Sequence, residues 1–123
     1  MTRTSAYIND PEIQALREVL YRRLVSMPEA IRKAAMLASL KKAMQEGIAH
    51  FTFDKANGEE RPAYGTRAPD IIKRHGGTPK GDERTYLEQA LQPTTFIYFD
   101  LGKRAWRSFR PENLVEIDND YCL

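Results

Sequence analysis

One cysteine, two histidines and one tryptophan in 123 residues leave few ways to build a reactive centre. Cys122 has no second thiol with which to close an intramolecular disulfide or share a metal, and it reads as a free thiol. His50 and His75 are the only imidazoles, and no Cys/His spacing suits zinc. Ser108 lacks a nucleophile-elbow context, and carboxylates such as Asp100 and Glu116 stand isolated along the chain. The sequence therefore predicts no catalytic residue, no metal ligand and no cofactor, and the chain reads as a non-enzyme. No apolar run approaches the roughly 20 residues that span a bilayer. Residues 1–9 carry Arg3 with no apolar stretch behind it, unlike a secretory signal, so the expected location is the cytoplasm.

An excess of charge of one sign is also nearly absent, with 19 Lys/Arg against 17 Asp/Glu and a formal net of +2. Residues 1–48 hold 8 Lys/Arg against 5 Asp/Glu, whereas residues 49–123 hold 11 against 12. Phosphate neutralisation supplies most of a nucleic-acid module's affinity, so any such role must rest on local patches. The length suits one domain, or one small domain with a helical appendage.

The chain divides near Gly47, where the hydrophobic period changes. Asp10 followed by Pro11 reads as an N-cap with proline at the first helical position, and Ile13, Leu16, Leu20 and Leu24 then share one face. Ser26 and Glu29 have capping-box spacing, which splits the region into two helices, the first ending near Val25. The second, up to Glu46, has a broad apolar sector. It can face the first helix and either the sheet or another subunit, and Ile31, Leu37, Leu40 and Met44 are its candidate interaction face.

Strand character follows. His50-Phe51-Thr52-Phe53 alternates, Asn57-Gly58 signals a hairpin, and residues 61–66 return. Residues 68–93 form a long insertion, with a flexible glycine-rich stretch at 75–81 and a short helix over 83–91. Thr95-Phe96-Ile97-Tyr98-Phe99 is apolar on both faces, as a central strand would be, and residues 105–109 pair back on it. Arg110-Pro111-Glu112-Asn113 is a tight turn before the fifth strand at 114–117, as in SH3-like barrels. The expected fold is α+β: a two-helix segment, 1–47, and a five-stranded SH3/Sm-like β-barrel, 48–123, with the insertion between strands 2 and 3.

The order Phe51-Thr52-Phe53, Gly58-Glu59-Glu60-Arg61, Ala63-Tyr64-Gly65-Thr66-Arg67, Tyr98-Phe99-Asp100-Leu101, Ala105-Trp106-Arg107-Ser108-Phe109 and Asn113-Leu114-Val115 resembles WYL-like small proteins with an Sm-like SH3 β-barrel. These occur in bacteria, notably Bacteroidetes, and in their phages. The resemblance covers roughly the last 70 residues and leaves out the helical segment. It implies the fold and a regulatory or nucleic-acid-linked role, and it transfers no residue-specific activity.

Trp106-Arg107-Ser108-Phe109-Arg110 is the most informative cluster. Outward-facing, Trp106 and Arg107 would stack on a base or a peptide aromatic, with Arg104 and Arg110 on phosphates. Strand alternation instead separates Trp106 and Ser108 from Arg107 and Phe109, which puts one aromatic in the core, and a small barrel's need for internal aromatics favours this. Arg61 and Arg67, with Lys73, Arg74 and Lys80, could form a second basic edge, against which the acidic neighbours Glu59, Glu60, Asp70, Asp82 and Glu83 argue for a mixed solvated surface. Gly76-Gly77-Thr78-Pro79-Lys80-Gly81 lacks the Gly-Lys-Ser/Thr ending of a phosphate loop. Two readings follow: a protein-interaction or self-assembly module working through the helical face, and a nucleic-acid-binding regulator.

Overall fold

In a computed structural model the described residues are 10–24, 26–79 and 93–118. The helix predicted over 83–91 and Cys122 lie outside them. Helix α1 spans Pro11–Arg23 and α2 spans Met27–Glu46. The Asp10 carboxylate accepts the amides of Glu12 and Ile13, at 2.9 and 3.2 Å, and Ser26 Oγ accepts that of Glu29 at 3.3 Å. Both caps satisfy donors that a helix start leaves without partners. Five strands follow: β1 (Ile48–Asp54), β2 (Glu60–Thr66), β3 (Phe96–Asp100), β4 (Ala105–Phe109) and β5 (Leu114–Asp118). A short helix α3 (Pro69–Arg74) opens the insertion, and a 3₁₀ turn, Pro111–Asn113, precedes β5.

The strands form one antiparallel sheet in the order β4-β3-β2-β1-β5. In a flat sheet β4 and β1 would stand about 14 Å apart, three strand spacings. Yet Phe109 of β4 stacks on Phe53 of β1 with ring centroids 5.1 Å apart and meets Phe51 at 5.6 Å. The sheet is therefore strongly curled, in keeping with a small barrel, and the aromatics of its concave face fill it. Phe51, Phe96 and Tyr98 are completely buried there.

The helices share this core. Ile13, Leu16 and Leu20 of α1 and Ala30, Ala34, Leu37, Leu40 and Met44 of α2 belong to one buried cluster with Phe51, Phe96, Tyr98, Phe109 and Leu114. This corrects the expected helical interaction face. Leu37, Leu40 and Met44 have no exposed surface because they cover the sheet and α1; of the four residues only Ile31 is exposed, at 43 %.

A buried ionic network locks the helices to the sheet. Both terminal guanidinium nitrogens of Arg67, just after β2, donate to the two Glu12 oxygens at 2.8 Å, and Arg67 Nε donates to the Ile97 carbonyl at 2.9 Å. The same guanidinium lies 4.1 Å from the Phe96 ring centroid. Lys41 of α2 completes the cluster, 2.8 Å from Asp10 and 3.1 Å from Glu12. Burial alone would raise the Glu12 carboxyl, but the hydrogen bonds and charges of Arg67 and Lys41 outweigh it and hold its pKa below the ordinary value. At the other end of the bundle, Lys33 Nζ donates to the carbonyls of Glu112 and Leu114, at 2.9 and 2.6 Å, fixing α2 to the approach to β5.

The convex face carries a smaller core. Phe99 alternates outward from β3 and is 1 % exposed because Ile72 of α3 and Gly77 press on it. A Cβ at Gly77 would come within 2.4 Å of the Phe99 ring. The part of the predicted flexible stretch that is described, 75–79, is thus packed down: close approach to a buried ring is what requires glycine.

Candidate functional site

The β3–β4 hairpin is built around Asp100, which is 1 % exposed. Its Oδ1 accepts the Lys103 amide at 2.9 Å, and Oδ2 accepts Arg61 Nη2 at 2.6 Å. The Tyr98 hydroxyl donates to Oδ2 at 3.3 Å, and its pKa is raised by burial first and by the neighbouring carboxylate second. The turn that Asp100 organises ends at Arg104, whose φ of 53° lies in the left-handed region that an arginine enters at a cost.

From this turn onward the surface is basic. Residues 103–110 contain Lys103, Arg104, Arg107 and Arg110 and no carboxylate. All four are exposed, and none forms an ion pair with a described residue. The six residues singled out in the sequence do not converge on one edge. Arg104, Arg107 and Arg110 line β4 and its ends. Arg61 is held by buried Asp100, and Arg67 is consumed by Glu12, so the proposed second basic edge loses both arginines to internal pairs. Trp106 and Arg107 alternate to opposite faces of β4, while Phe109 enters the barrel. Trp106 lies half-buried on the convex side, edge-on to Phe99 at 5.8 Å, with its indole N–H donating to the Thr78 carbonyl at 2.9 Å.

Sequence reasoning overlooked a second feature. His50 of β1 stands directly opposite Tyr64 of β2 and Asp118 of β5. The Tyr64 and His50 rings are stacked, 4.4 Å between centroids and 23° between planes, and His50 Nδ1 lies 3.3 Å from Asp118 Oδ2. Tyr64 is 43 % exposed. The Leu101 amide donates to the Tyr64 carbonyl at 3.0 Å, which brings the basic turn alongside this row. The observed hairpin register places the two rings side by side on the face opposite Phe51 and Phe53.

Among the described residues no group of three His, Cys, Asp or Glu side chains could hold a metal ion, and no helix is long and apolar enough to cross a membrane. The fold and this surface define a small barrel of the binding-module class. More particularly, the model of the WYL_2 family, described as an Sm-like SH3 beta-barrel fold, matches residues 37–115, and the chain belongs to that family. The match begins inside α2, so the second half of that helix goes with the strands. No curated protein and no solved structure matches the chain at a significant level.

Proposed function

We propose that the protein is a non-enzymatic regulatory binding module that takes the phosphate backbone of a nucleic acid along the β4 edge. One observation carries this reading: four exposed cations within eight residues, with no acidic residue among them and no ion pair to a described residue. Elsewhere Arg23, Arg32, Lys41, Arg61 and Arg67 each face a carboxylate within the fold. Unpaired cations along one edge provide phosphate contacts whose affinity comes from released counterions. Near-neutrality of the whole chain suits a module whose positive potential is confined to one strand.

The test is an anisotropy titration of labelled single-stranded and duplex oligonucleotides at two salt concentrations, with wild type and an Arg104→Ala/Arg107→Ala/Arg110→Ala variant. Micromolar binding is expected to weaken with a log–log salt slope of about −3 on single strands, as about four phosphate contacts require, and to fall sharply in the variant. Absence of binding at low salt, or affinity indifferent to salt, would sink the reading.

A second reading rests on the two strands that end the sheet order. Basic β4 and β5, which carries Glu116 and Asp118, are complementary in charge, and edge strands pair readily with another chain. Self-association through these edges predicts a mass above that of the monomer in light scattering, dissociating as salt rises.

A further inference from the structure

We infer that Arg61 and Arg107 form a site for a phosphate monoester at the gap between β2 and the β3–β4 hairpin, with buried Asp100 holding Arg61 in position. The site opens on the concave side of the sheet and shares only Arg107 with the reading of the β4 edge. Three observations converge on it.

The first is placement. β2 pairs with β3 only at Gly65 and Thr66, so its first residues, Arg61 among them, have no β3 partner among the described residues. Strand alternation turns Arg61, Asp100 and Arg107 to the concave face, and they are the only charged residues among the inward positions of β1 to β4. Two cations there face one carboxylate. Arg107 stands directly opposite Tyr98, whose hydroxyl lies 3.3 Å from Asp100 Oδ2, and Arg61 Nη2 reaches the same oxygen at 2.6 Å. Both guanidinium charges oppose the rise that burial and Asp100 impose on the Tyr98 hydroxyl, so both lie within electrostatic reach of one buried oxygen.

The second is unspent capacity. Arg67 gives both terminal nitrogens to Glu12 and its Nε to a carbonyl, which accounts for a structural arginine. Arg61 gives one nitrogen to Asp100 and makes no other hydrogen bond with a described residue, and its side chain remains 21 % exposed. Arg107 is exposed and has no ion pair with a described residue. The Asp100 contact therefore fixes the Arg61 guanidinium in advance and leaves its other N–H groups for an acceptor, which lowers the ordering cost of a ligand.

The third is the floor. The Arg61 guanidinium lies 5.9 Å from the Phe53 ring centroid, and Phe53 is stacked on Phe109, two residues from Arg107 on the same face. Both rings are buried, so the gap admits an anionic group at its mouth and nothing deeper, while the apolar floor strengthens the charge interactions above it. A monoester suits such a mouth. It carries about −1.5 to −2 charge at pH 7 and three acceptor oxygens, enough to bridge two guanidinium groups, whereas a diester brings about −1 and must continue as chain on both sides.

The ester can come from a free small molecule or from the end of a strand. The experiment titrates wild type, Arg107→Ala and Arg61→Lys, at constant ionic strength, with inorganic phosphate, adenosine 5′-monophosphate, adenosine, and oligothymidylate with and without a 5′-phosphate. Arg61→Lys keeps a charge opposite Asp100 so that the fold survives, but it loses the planar fork. Inorganic phosphate and the monophosphate are expected to bind and to move the Arg61 Nε–H signal of the wild-type protein, adenosine to do neither, and each variant to lose roughly tenfold. A gain of the 5′-phosphorylated oligothymidylate over its hydroxyl-ended form would make a strand end the source; monophosphate binding without that gain would make it a free ester. No binding of phosphate or monophosphate at millimolar concentration, or binding that both variants retain, overturns the site. Salt-sensitive binding of hydroxyl-ended strands alone would leave the β4 reading standing without it, and monophosphate binding by a protein that ignores such strands would do the reverse.

Discussion

Glu12 sits 1 % exposed between two cations, and each of its oxygens receives an Arg67 nitrogen at 2.8 Å. Truncating one partner of such a pair leaves the other charge buried, which costs about 3–5 kcal/mol. Glu12→Gln keeps the shape and hydrogen-bonding capacity, and Lys41 retains Asp10, so a loss of about 3 kcal/mol in urea unfolding near neutral pH is expected. The sign with pH follows from the lowered carboxyl. The unfolded chain takes up the Glu12 proton first, near the ordinary value of 4.5, so its stabilisation is complete above that value and fades as pH falls through the lower folded pKa. The gap between wild type and Glu12→Gln should thus be constant between about pH 6 and 8 and narrow below about pH 4.5. Little of this was legible in the sequence. Arg67 reads as a surface cation because its partner is 55 residues away, on a helix whose docking local pattern does not reveal. The Leu37, Leu40 and Met44 stripe was visible, but a stripe states that a face will be covered and not by what.

At the level of elements, the caps, the helix break at Ser26 and the five strands could be read directly, since each depends on residues close in the chain. The first hairpin shows the limit. A two-residue Asn57-Gly58 turn would set His50 opposite Gly65; the longer turn, in which Gly58 takes a φ of 89° and its amide donates to Lys55, sets His50 opposite Tyr64. One residue of slip exchanges every partner, and the stacked rings were hidden by it. The segment after α3 was read as flexible from its glycines, yet Gly77 is there to let the chain lie on Phe99. Gly77→Ala should cost roughly 1–3 kcal/mol, because the added methyl meets a ring with no room to withdraw. The same change should lift Thr78 from the Trp106 indole. Folded-state emission from this one tryptophan is therefore expected to move to the red, and an unchanged spectrum would show that the contact persists without the close approach.

For the whole molecule, the division at residue 47 marks a change of secondary structure across a continuous core. Ile13, Leu16, Leu20, Leu37, Leu40 and Met44 lie in the same cluster as the barrel aromatics. A chain beginning at Ile48 would uncover that cluster, and it is expected to show no cooperative thermal transition by circular dichroism; a sharp melt would mean that the sheet is stable alone. The order of the strands also governs how quickly the native state can be reached. The fifth strand pairs with the first, and the contact between His50 and Asp118 closes a loop of 68 residues. The helical hairpin can form from neighbours in the chain, but this seam must wait for a long search whose entropy is lost before any pairing is gained. Refolding should therefore be limited by a late, concerted closure in which β5 arrives last, and substitutions in β5 should accelerate unfolding far more than they slow folding.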